Sequence, residues 1–386
     1  MTHVLLISHE LIPSARLCGY EQFTRMQEQG LIEFRFSPSE HLTPELAGWA
    51  DVVHFIRPDS RADLITAREM RKAGKYLICV LDDDLFLVPD GFQSSDYYQR
   101  ENVKQNMRDV MKECHLFLSP SAHLRKKYGA GFARVGMIEE PSLFDNAPAL
   151  QKNDTRIRIG FAGSTDRSGD ISVILADTVR RLLADYGDRI SIEFFGAKPS
   201  FADELGLRHI PYCESYAKYQ ETMQSLGWDI GLAPMPDTEF HRGKHYNKFV
   251  EYAACGIVGI YSDLLPYRGT VEHEVSGMLC QNDGESFYQA ISRLIDSPEL
   301  LARMRKNVVE LATNRFSLSA VTEALKEELG DVLTIETDRK PLGFAKKLHR
   351  LDLTERFWAG IRKEGFFRFV WKKTKKFVFH IPETNL

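Results

Sequence analysis

Three charged side chains recur at helical spacing in one short stretch of the sequence. Lys244, Lys248 and Glu251 stand at positions i, i+4 and i+7, so a helix beginning near Lys244 would carry all three on one face. Arg242 adds a cation just before them. Cations at a helix amino terminus oppose its dipole and cost about 0.3–1 kcal/mol, so the pattern favours an anion opposite them. A diphosphate would supply that charge, whereas a solvated basic face with Glu251 paired to Lys248 is the alternative.

A glycine turn offers a second contact for an anion. Gly163 and Ser164 end an apolar run that begins at Arg156 and precede a helical pattern over residues 174–184. This order predicts free backbone N–H groups at the carboxyl edge of a sheet, where phosphate binds well. The turn has no G-x-G-x-x-G pattern and no acidic residue about 20 positions later, which disfavours a dinucleotide cofactor. A plain turn joining strand and helix is the alternative.

Three consecutive aspartates follow a strongly apolar run, Tyr76 to Leu81. Asp82 and Asp83 are therefore expected at the carboxyl edge of another sheet, where Asp83 could take the proton of a hydroxyl group and Asp82 could contact the same molecule. Helix capping or a surface turn is an alternative, and so is a metal site. Arg16, in the glycine-bearing loop after the first apolar run, is a candidate for a phosphate contact. An ordinary surface arginine fits its context equally.

Two series of strand-like runs position these residues, with amphipathic stretches between the runs. Alternation of this kind is typical of βα units around parallel sheets, so we predict an α/β fold of two Rossmann-like domains that face a cleft. The predicted domains are residues 1–150, 151–317 and, as a helix and a basic aromatic tail, 318–386. The predicted strands are residues 4–7, 51–55, 76–81 and 115–119 in the first series and 156–164, 191–196, 228–232 and 257–261 in the second.

Composition excludes several classes of protein. The 386 residues are 43% hydrophobic and 27% charged, which is neither disordered nor fibrous. Six scattered cysteines give no metal or disulfide framework, and we expect no secretion signal or membrane-spanning helix. Residues 340–386 hold twelve Lys/Arg against four Asp/Glu, so a basic tail follows an acidic body. We expect a cytoplasmic protein that is peripheral at the inner face of the membrane.

Residues 156–315 resemble the GT-B glycosyltransferases grouped around glycosyltransferase family 4. The resemblance lies in an acidic residue followed by small residues and a strand (251–262), a glycine-marked turn (275–279), an acidic loop (282–284), a helix pair (287–311) and the strand 228–235. The spacing Lys-x-x-x-Lys-x-x-Glu-Tyr is similar to the subgroup common among bacterial surface-polysaccharide enzymes. The resemblance implies a nucleoside-diphosphate sugar as donor, with no other cofactor and no metal.

The same resemblance assigns roles to individual residues. Glu251 would bind the ribose hydroxyls, the Gly163–Ser164 turn would cradle the diphosphate, and Arg242, Lys244 and Lys248 would neutralise it. Two departures leave the anomeric outcome open. Many relatives carry a glutamate eight positions before the one at 251, where this chain has Gly243, and a Gly-Arg pair followed by Lys is absent after Gly163.

The predicted function is therefore transfer of a sugar to a glycan or lipid-linked acceptor in surface polysaccharide or glycoconjugate synthesis. A non-catalytic nucleotide- or glycan-binding module and a polyol-phosphate transferase are the alternatives. Bulky apolar residues and cations alternate in 344–358 and 366–379, which predicts binding to an anionic membrane surface. Packing of the tail on the body, or self-association as a homo-oligomer, is the alternative. We expect no nucleic-acid partner.

Overall fold

Continuous apolar runs form the inner strands of two parallel sheets. The computed structural model describes residues 1–144, 155–213 and 215–348. In the first sheet the strands run in the order β2-β1-β3-β4-β5-β6, and every pair is parallel. These strands are β1 His3–Ile7, β2 Glu33–Phe36, β3 Val52–Ile56, β4 Tyr76–Val80, β5 Leu116–Ser119 and β6 Arg134–Met137.

The second sheet repeats the same design. Its order is β12-β11-β10-β7-β8-β9, again entirely parallel. The strands are β7 Ile157–Gly163, β8 Ile190–Gly196, β9 Arg208–Ile210, β10 Ile230–Ala233, β11 Val258–Ser262 and β12 Met278–Cys280. Strand order reverses at β1 and β3 in one sheet and at β7 and β10 in the other. Crevices at such reversals are where open α/β sheets bind ligands.

Helices cover both sheets, as parallel strands require. The α-helices are α1 Pro13–Ala15, α2 Glu21–Glu28, α3 Pro44–Trp49, α4 Arg61–Lys72, α5 Ser95–Tyr98, α6 Glu101–Glu113, α7 Ala122–Tyr128, α8 Ser168–Tyr186, α9 Tyr216–Leu226, α10 Glu239–Arg242, α11 Asn247–Ala254, α12 Gly284–Asp296, α13 Pro298–Leu311 and α14 Leu318–Leu329. Local sequence sets several of their ends. Ser60 and Asp63, for example, form a reciprocal capping box at the start of α4.

The eight predicted strands are all confirmed, and the four that the sequence pattern missed are the edges of the two sheets. β2, β6, β9 and β12 each have only three or four residues. β2 alternates between exposed and half-buried positions, whereas every residue of β3 is buried. An edge strand is covered incompletely, so it lacks the continuous apolar run that marks an inner strand.

The chain crosses between the two halves at two neighbouring places. The Ser142 amide donates to the Phe316 carbonyl at 2.7 Å, and Ser142 forms a parallel bridge with Ser317. After the second crossing α14 packs on the first half, where Leu325 and Leu329 join the core under β1. The predicted boundary at 150 falls among residues 145–154, outside the described residues, and the three domain limits stay predictions.

The start of the predicted basic tail belongs to the first half. The Leu342 amide donates to the Pro44 carbonyl at 2.8 Å, and Ala345 and Leu348 are buried in the core beside α3. Packing on the body, one of the two alternatives for this segment, is therefore correct as far as Leu348. The rest of the tail, 349–386, lies outside the described residues. Among the described helices none is long and apolar enough to cross a membrane.

Candidate functional site

A cleft of about 250 Å³ lies between the carboxyl ends of the two sheets. β3 and β4 end on it in the first half, and β7 and β10 end on it in the second. The polar side chains and turns that line the cleft are, from the first half, Ser14, Arg57, Asp82, Asp83 and Glu140 and, from the second, Gly163, Ser164, Arg167, Lys244, His245, Asn247 and Lys248.

An arginine that sequence reasoning missed organises the first half of the cleft. Arg57 donates from Nε and Nη2 to the two oxygens of Asp82 at 2.5 and 2.6 Å, and from Nη2 to Asp83 at 3.1 Å. Burial raises the pKa of the Asp82 carboxyl, but the charge and hydrogen bonds of Arg57 outweigh it and hold that pKa below its ordinary value. Asp82 is therefore an anion fixed in place. Arg57 follows β3 as directly as the aspartates follow β4, so the strand-end rule that found them could have found it.

The acidic triplet divides its side chains between two directions. Asp83 faces the cleft, where Lys244 from the second half donates to it at 3.2 Å. Asp84 is fully buried and accepts from Lys127 Nζ and Tyr128 Oη, each at 2.7 Å. The contact between Asp83 and Lys244 joins the two halves across the cleft.

The glycine turn enters the cleft where β7 ends. The Ala197 amide donates to the Gly163 carbonyl at 2.9 Å, and a Cβ on Gly163 would lie 2.7 Å from the Phe161 ring. Close packing thus requires glycine at this position. Arg167, which the sequence did not indicate, reaches the cleft from the same turn and donates to the Pro234 carbonyl at 2.8 Å.

Two helices begin beside the cleft without a side-chain cap. α8 continues a 3-10 turn, Thr165–Arg167, in which the Ser168 amide donates to the Thr165 carbonyl, so the uncapped start lies after Ser164. α11 starts at Asn247. Uncapped first turns leave backbone N–H groups for an anion, and the helix dipole adds partial positive charge. The cleft therefore combines the ends of two helices with the cations Arg167, Lys244 and Lys248.

The sequence predicts Lys244, Lys248 and Glu251 on one helix, and this is correct for Lys248 and Glu251 but wrong for Lys244. Lys248 and Glu251 lie on α11, with Lys248 Nζ 2.8 Å from Glu251 Oε2, and Tyr219 Oη donates to the same oxygen at 2.9 Å. Lys244 lies in the turn before α11, because Tyr246 and not Lys244 precedes the first helical residue. Its place outside the helix lets it reach Asp83.

A buried charge cluster supports the cleft from below. His245 is almost fully buried between Glu139, whose oxygen is 3.2 Å from Nε2, and Glu140, whose oxygen is 3.4 Å from Nδ1. Burial alone would lower the pKa of His245, but the charge of Glu140 and the hydrogen bonds of both carboxylates raise it to about 10. Tyr246 and Arg315 also contact Glu139. The imidazolium of the second half is thus held by carboxylates of the first.

Three predicted site residues do not line the cleft: Arg242, Arg16 and Glu251. Arg242 pairs with Asp237 and Glu239, each at 2.8 Å, and Arg16 pairs with Glu21 at 2.6 Å. Their contacts with phosphate stay predictions. Gly243, where the resemblance leads one to expect a glutamate, packs tightly, since a Cβ there would lie 3.1 Å from the Asp84 Cβ.

Cys18, Asp82 and Glu140 bring potential metal ligands within 4.8 Å of one another. Asp82 is already bound by Arg57, and Glu140 accepts from Cys18 at 3.4 Å and contacts His245. Arg57 balances the charge of Asp82 and His245 balances that of Glu140, so an added metal ion would have to compete with both cations. The donor set fits a metal poorly.

Solved structures share this arrangement of two sheets around a cleft. HepE from Anabaena in complex with UDP is 15% identical, with a TM-score of 0.58 over 85% of this chain and 99% of HepE. The lipopolysaccharide outer core galactosyltransferase WaaB is 13% identical, with a TM-score of 0.55 over 85% of this chain and 99% of WaaB. A putative UDP-N-acetylglucosamine 2-epimerase from Listeria monocytogenes is 12% identical, with a TM-score of 0.55 over 88% of this chain and 98% of the Listeria protein. No protein-family model and no curated protein sequence matches the chain.

These likenesses, together with the two six-stranded parallel sheets, show a GT-B fold. The predicted fold class is confirmed for the described residues. The basic tail that formed part of the same prediction begins within the first half, and its remainder lies outside the described residues.

Proposed function

We propose that this protein is a glycosyltransferase that moves a sugar from a nucleoside-diphosphate donor to a glycan or lipid-linked acceptor. The observation that carries the proposal is the composition of the cleft. One wall offers cations, a glycine turn and two uncapped helix starts, and the opposite wall offers a carboxylate, Asp83, held by Arg57. The first wall suits a diphosphate and the second suits a hydroxyl nucleophile.

The donor half would bind the leaving group. Lys244, Lys248 and Arg167 lie where a diphosphate could neutralise them, and the amides after Gly163 add hydrogen-bond donors. Fixed cations and backbone dipoles can stabilise the negative charge that develops on a departing nucleoside diphosphate, so we propose that transfer needs no metal and no other cofactor. Glu251, positioned by Lys248 and Tyr219, would accept from the ribose hydroxyls.

The acceptor half would supply the base. Asp83 is partly exposed to the cleft, whereas Asp82 is occupied by two hydrogen bonds from Arg57. We therefore assign proton removal from the acceptor hydroxyl to Asp83 and the positioning of that wall to Asp82 and Arg57. A diphosphate bound by Lys244 would weaken the contact of this lysine with Asp83 and leave the carboxylate available to the acceptor hydroxyl.

The proposal takes support from what the similar proteins bind and are named for. HepE structures contain UDP, and one contains UDP-glucose, while WaaB is named as a galactosyltransferase. A role in bacterial surface polysaccharide or glycoconjugate synthesis agrees with the names of these similar proteins. We place the protein in the cytoplasm at the inner face of the membrane, where a lipid-linked acceptor would be reached.

A panel of nucleoside-diphosphate sugars tests the proposal. We expect slow release of nucleoside diphosphate from one donor without acceptor, and faster release with a suitable glycan or lipid-linked acceptor. An epimerised sugar product that forms without any acceptor would favour the chemistry for which the Listeria protein is named. Transfer of a phosphorylated polyol, detected by mass spectrometry, would point to the other transferase class.

Two observations favour a second candidate, a nucleotide- or glycan-binding module without turnover. Asp83 makes two ionic contacts, and Gly243 stands where a sugar-contacting glutamate is expected. Such a module would bind nucleoside diphosphates and release no sugar from any donor in the panel. The same assay therefore separates the two candidates.

A further inference from the structure

A second cavity opens on the first half, on the other side of the acidic triplet from the cleft. It has a volume of about 420 Å³ and lies between α6, the end of α7 and the turn Leu85–Leu87. Its apolar lining is Phe86, Leu87, Met111, Tyr128 and Phe132, and its basic lining is Arg108, Lys112 and Lys127. We call this cavity the α6–α7 groove. Its volume falls within the range of about 300–1,000 Å³ that is common for ligand pockets.

The floor of the α6–α7 groove is apolar and partly open to solvent. The Phe86 and Tyr128 rings lie 5.3 Å apart, and Leu87 is 42% exposed. Because this apolar surface is exposed to water, covering it with a hydrocarbon would lower the free energy. The apolar lining and the volume of the groove fit a single alkyl or prenyl chain.

Three cations surround this floor, and none of the described residues that line it is acidic. Arg108 pairs with Glu101 at 2.6 Å and Lys112 pairs with Asp109 at 2.9 Å, but both carboxylates lie outside the lining. Exposed pairs of this kind stabilise a helix by little, so an anion can take over either cation at small cost. Lys127 pairs with the fully buried Asp84 at 2.7 Å, but its side chain stays 31% exposed, so it can contact an anion while it holds Asp84. The exposed cations Arg108 and Lys112 therefore make the lining complementary to an anionic head group.

We propose that the α6–α7 groove binds a single-chain acidic amphiphile, with its hydrocarbon on the apolar floor and its phosphate among Arg108, Lys112 and Lys127. The chain's own remaining tail is a poor occupant. Residues 349–386 contain nine Lys/Arg against four Asp/Glu, so they carry the same sign of charge as the groove.

A short series of contacts connects the groove to the cleft. Lys127 and Tyr128 hold Asp84, and the preceding residue, Asp83, contacts Lys244 across the cleft. A phosphate bound at Lys127 would thus lie beside the wall to which we assign the acceptor. The identification of this amphiphile as a lipid-linked acceptor rests on the proposed function, whereas the binding site itself does not.

Calorimetric titration of the full chain with dodecyl phosphate below its micellar concentration tests the site. We expect saturable 1:1 binding, and binding of uncharged dodecyl glucoside to be weaker by about tenfold or more, because it lacks the charge-assisted contacts. Inorganic phosphate should not bind measurably, because it lacks the hydrocarbon. Equal affinity for the charged and uncharged amphiphiles would overturn the proposal.

Matched variants locate the binding. Lys112→Glu should weaken dodecyl phosphate binding, whereas Lys72→Glu should not; both lysines are 70% exposed and pair with a carboxylate three residues earlier, but only Lys112 lines the groove. Leu87→Glu should weaken binding by about tenfold or more, since it sets a carboxylate against the hydrocarbon. Equal losses for the two lysine variants, or no loss for Leu87→Glu in a variant that keeps its circular dichroism, would refute the site. UDP binding in the same samples reports on the proposed function separately.

Discussion

Lys244 and Asp83 lie 161 residues apart in sequence and 3.2 Å apart in space, one on each side of the cleft. The ammonium group that we assign to the diphosphate therefore also holds the carboxylate that we assign to the acceptor. Their roles are coupled, so a double-mutant cycle of Lys244→Ala and Asp83→Asn should be non-additive, with an interaction energy of about 0.5–3 kcal/mol in kcat/KM. Additive losses would show that the two groups act independently.

Asp83→Asn should lower kcat by about 100-fold or more if the carboxylate is the general base, because asparagine cannot take a proton. The affinity for the donor should change little, and single-turnover kinetics with equilibrium binding would separate the two effects. Glu113→Gln is a matched control, since Glu113 is similarly buried and ion-paired but lines neither the cleft nor the α6–α7 groove. A parallel loss of donor affinity, or activation by added divalent ions, would favour a metal role for Asp83.

Lys248→Ala should weaken nucleoside-diphosphate binding by about 1.5–3 kcal/mol through loss of a charge-assisted phosphate contact. Equilibrium titration with UDP and other diphosphates measures the change. Lys326→Ala removes a lysine that makes the same type of helical pair at the same 2.8 Å but lies on α14, so it should have no effect. Unchanged affinity and turnover in Lys248→Ala would remove this helix start from the donor site.

Glu251→Gln should weaken binding of nucleoside diphosphates while binding of inorganic pyrophosphate stays unchanged, because only the nucleoside offers ribose hydroxyls. Lys248 and Tyr219 both donate to one carboxylate oxygen of Glu251. The substitution therefore also tests whether these two residues still hold the side chain at 251 once its negative charge is gone. Competition titrations with the two ligands give the comparison. Equal effects on both would return Glu251 to a purely structural role.

His245 predicts how stability depends on pH. Its pKa is raised from 6.5 to about 10 in the folded protein, so its contribution to stability is complete below about pH 6.5 and is lost as the pH rises toward 10. The difference in free energy of unfolding between the wild type and His245→Gln should therefore shrink across this interval in denaturant titrations. A constant difference from pH 6 to pH 10 would mean that His245 is not charged between Glu139 and Glu140.

The sequence was informative where one strand end could be read by itself. Asp82 and Asp83 follow one inner strand and Gly163 ends another, and both strands have long apolar runs, so the position of these residues at the carboxyl edges could be predicted. Arg57 obeys the same rule but was passed over, because a single arginine after a strand does not stand out as three aspartates do.

Contacts between the halves could not be predicted from local pattern. Glu139 and Glu140 follow β6, an edge strand with no apolar run, and their meeting with His245 depends on how two sheets pack. The position of Lys244 outside α11 also involves a contact between the two halves. Its side chain is committed to Asp83, a partner that helical spacing alone cannot reveal.

Removal of residues 349–386 should abolish sedimentation with anionic liposomes and leave donor hydrolysis largely intact, because the removed segment carries most of the basic and aromatic residues of the tail. The cut belongs after Leu348, since Ala345 and Leu348 are part of the first core and a shorter protein would lose them. Sedimentation with liposomes at low salt measures the effect. Failure of the full-length protein to bind would end the membrane proposal.

The paired crossings at Ser142 and Ser317 bear on how precisely the cleft can close. A single linker would let the halves twist freely, whereas two adjacent strands tied by the Ser142–Phe316 hydrogen bond favour bending about one axis. Bending about that axis would bring Asp83 back to Lys244 in the same alignment. The proton removal that we propose for Asp83 would then find its carboxylate in the same place each time the halves meet.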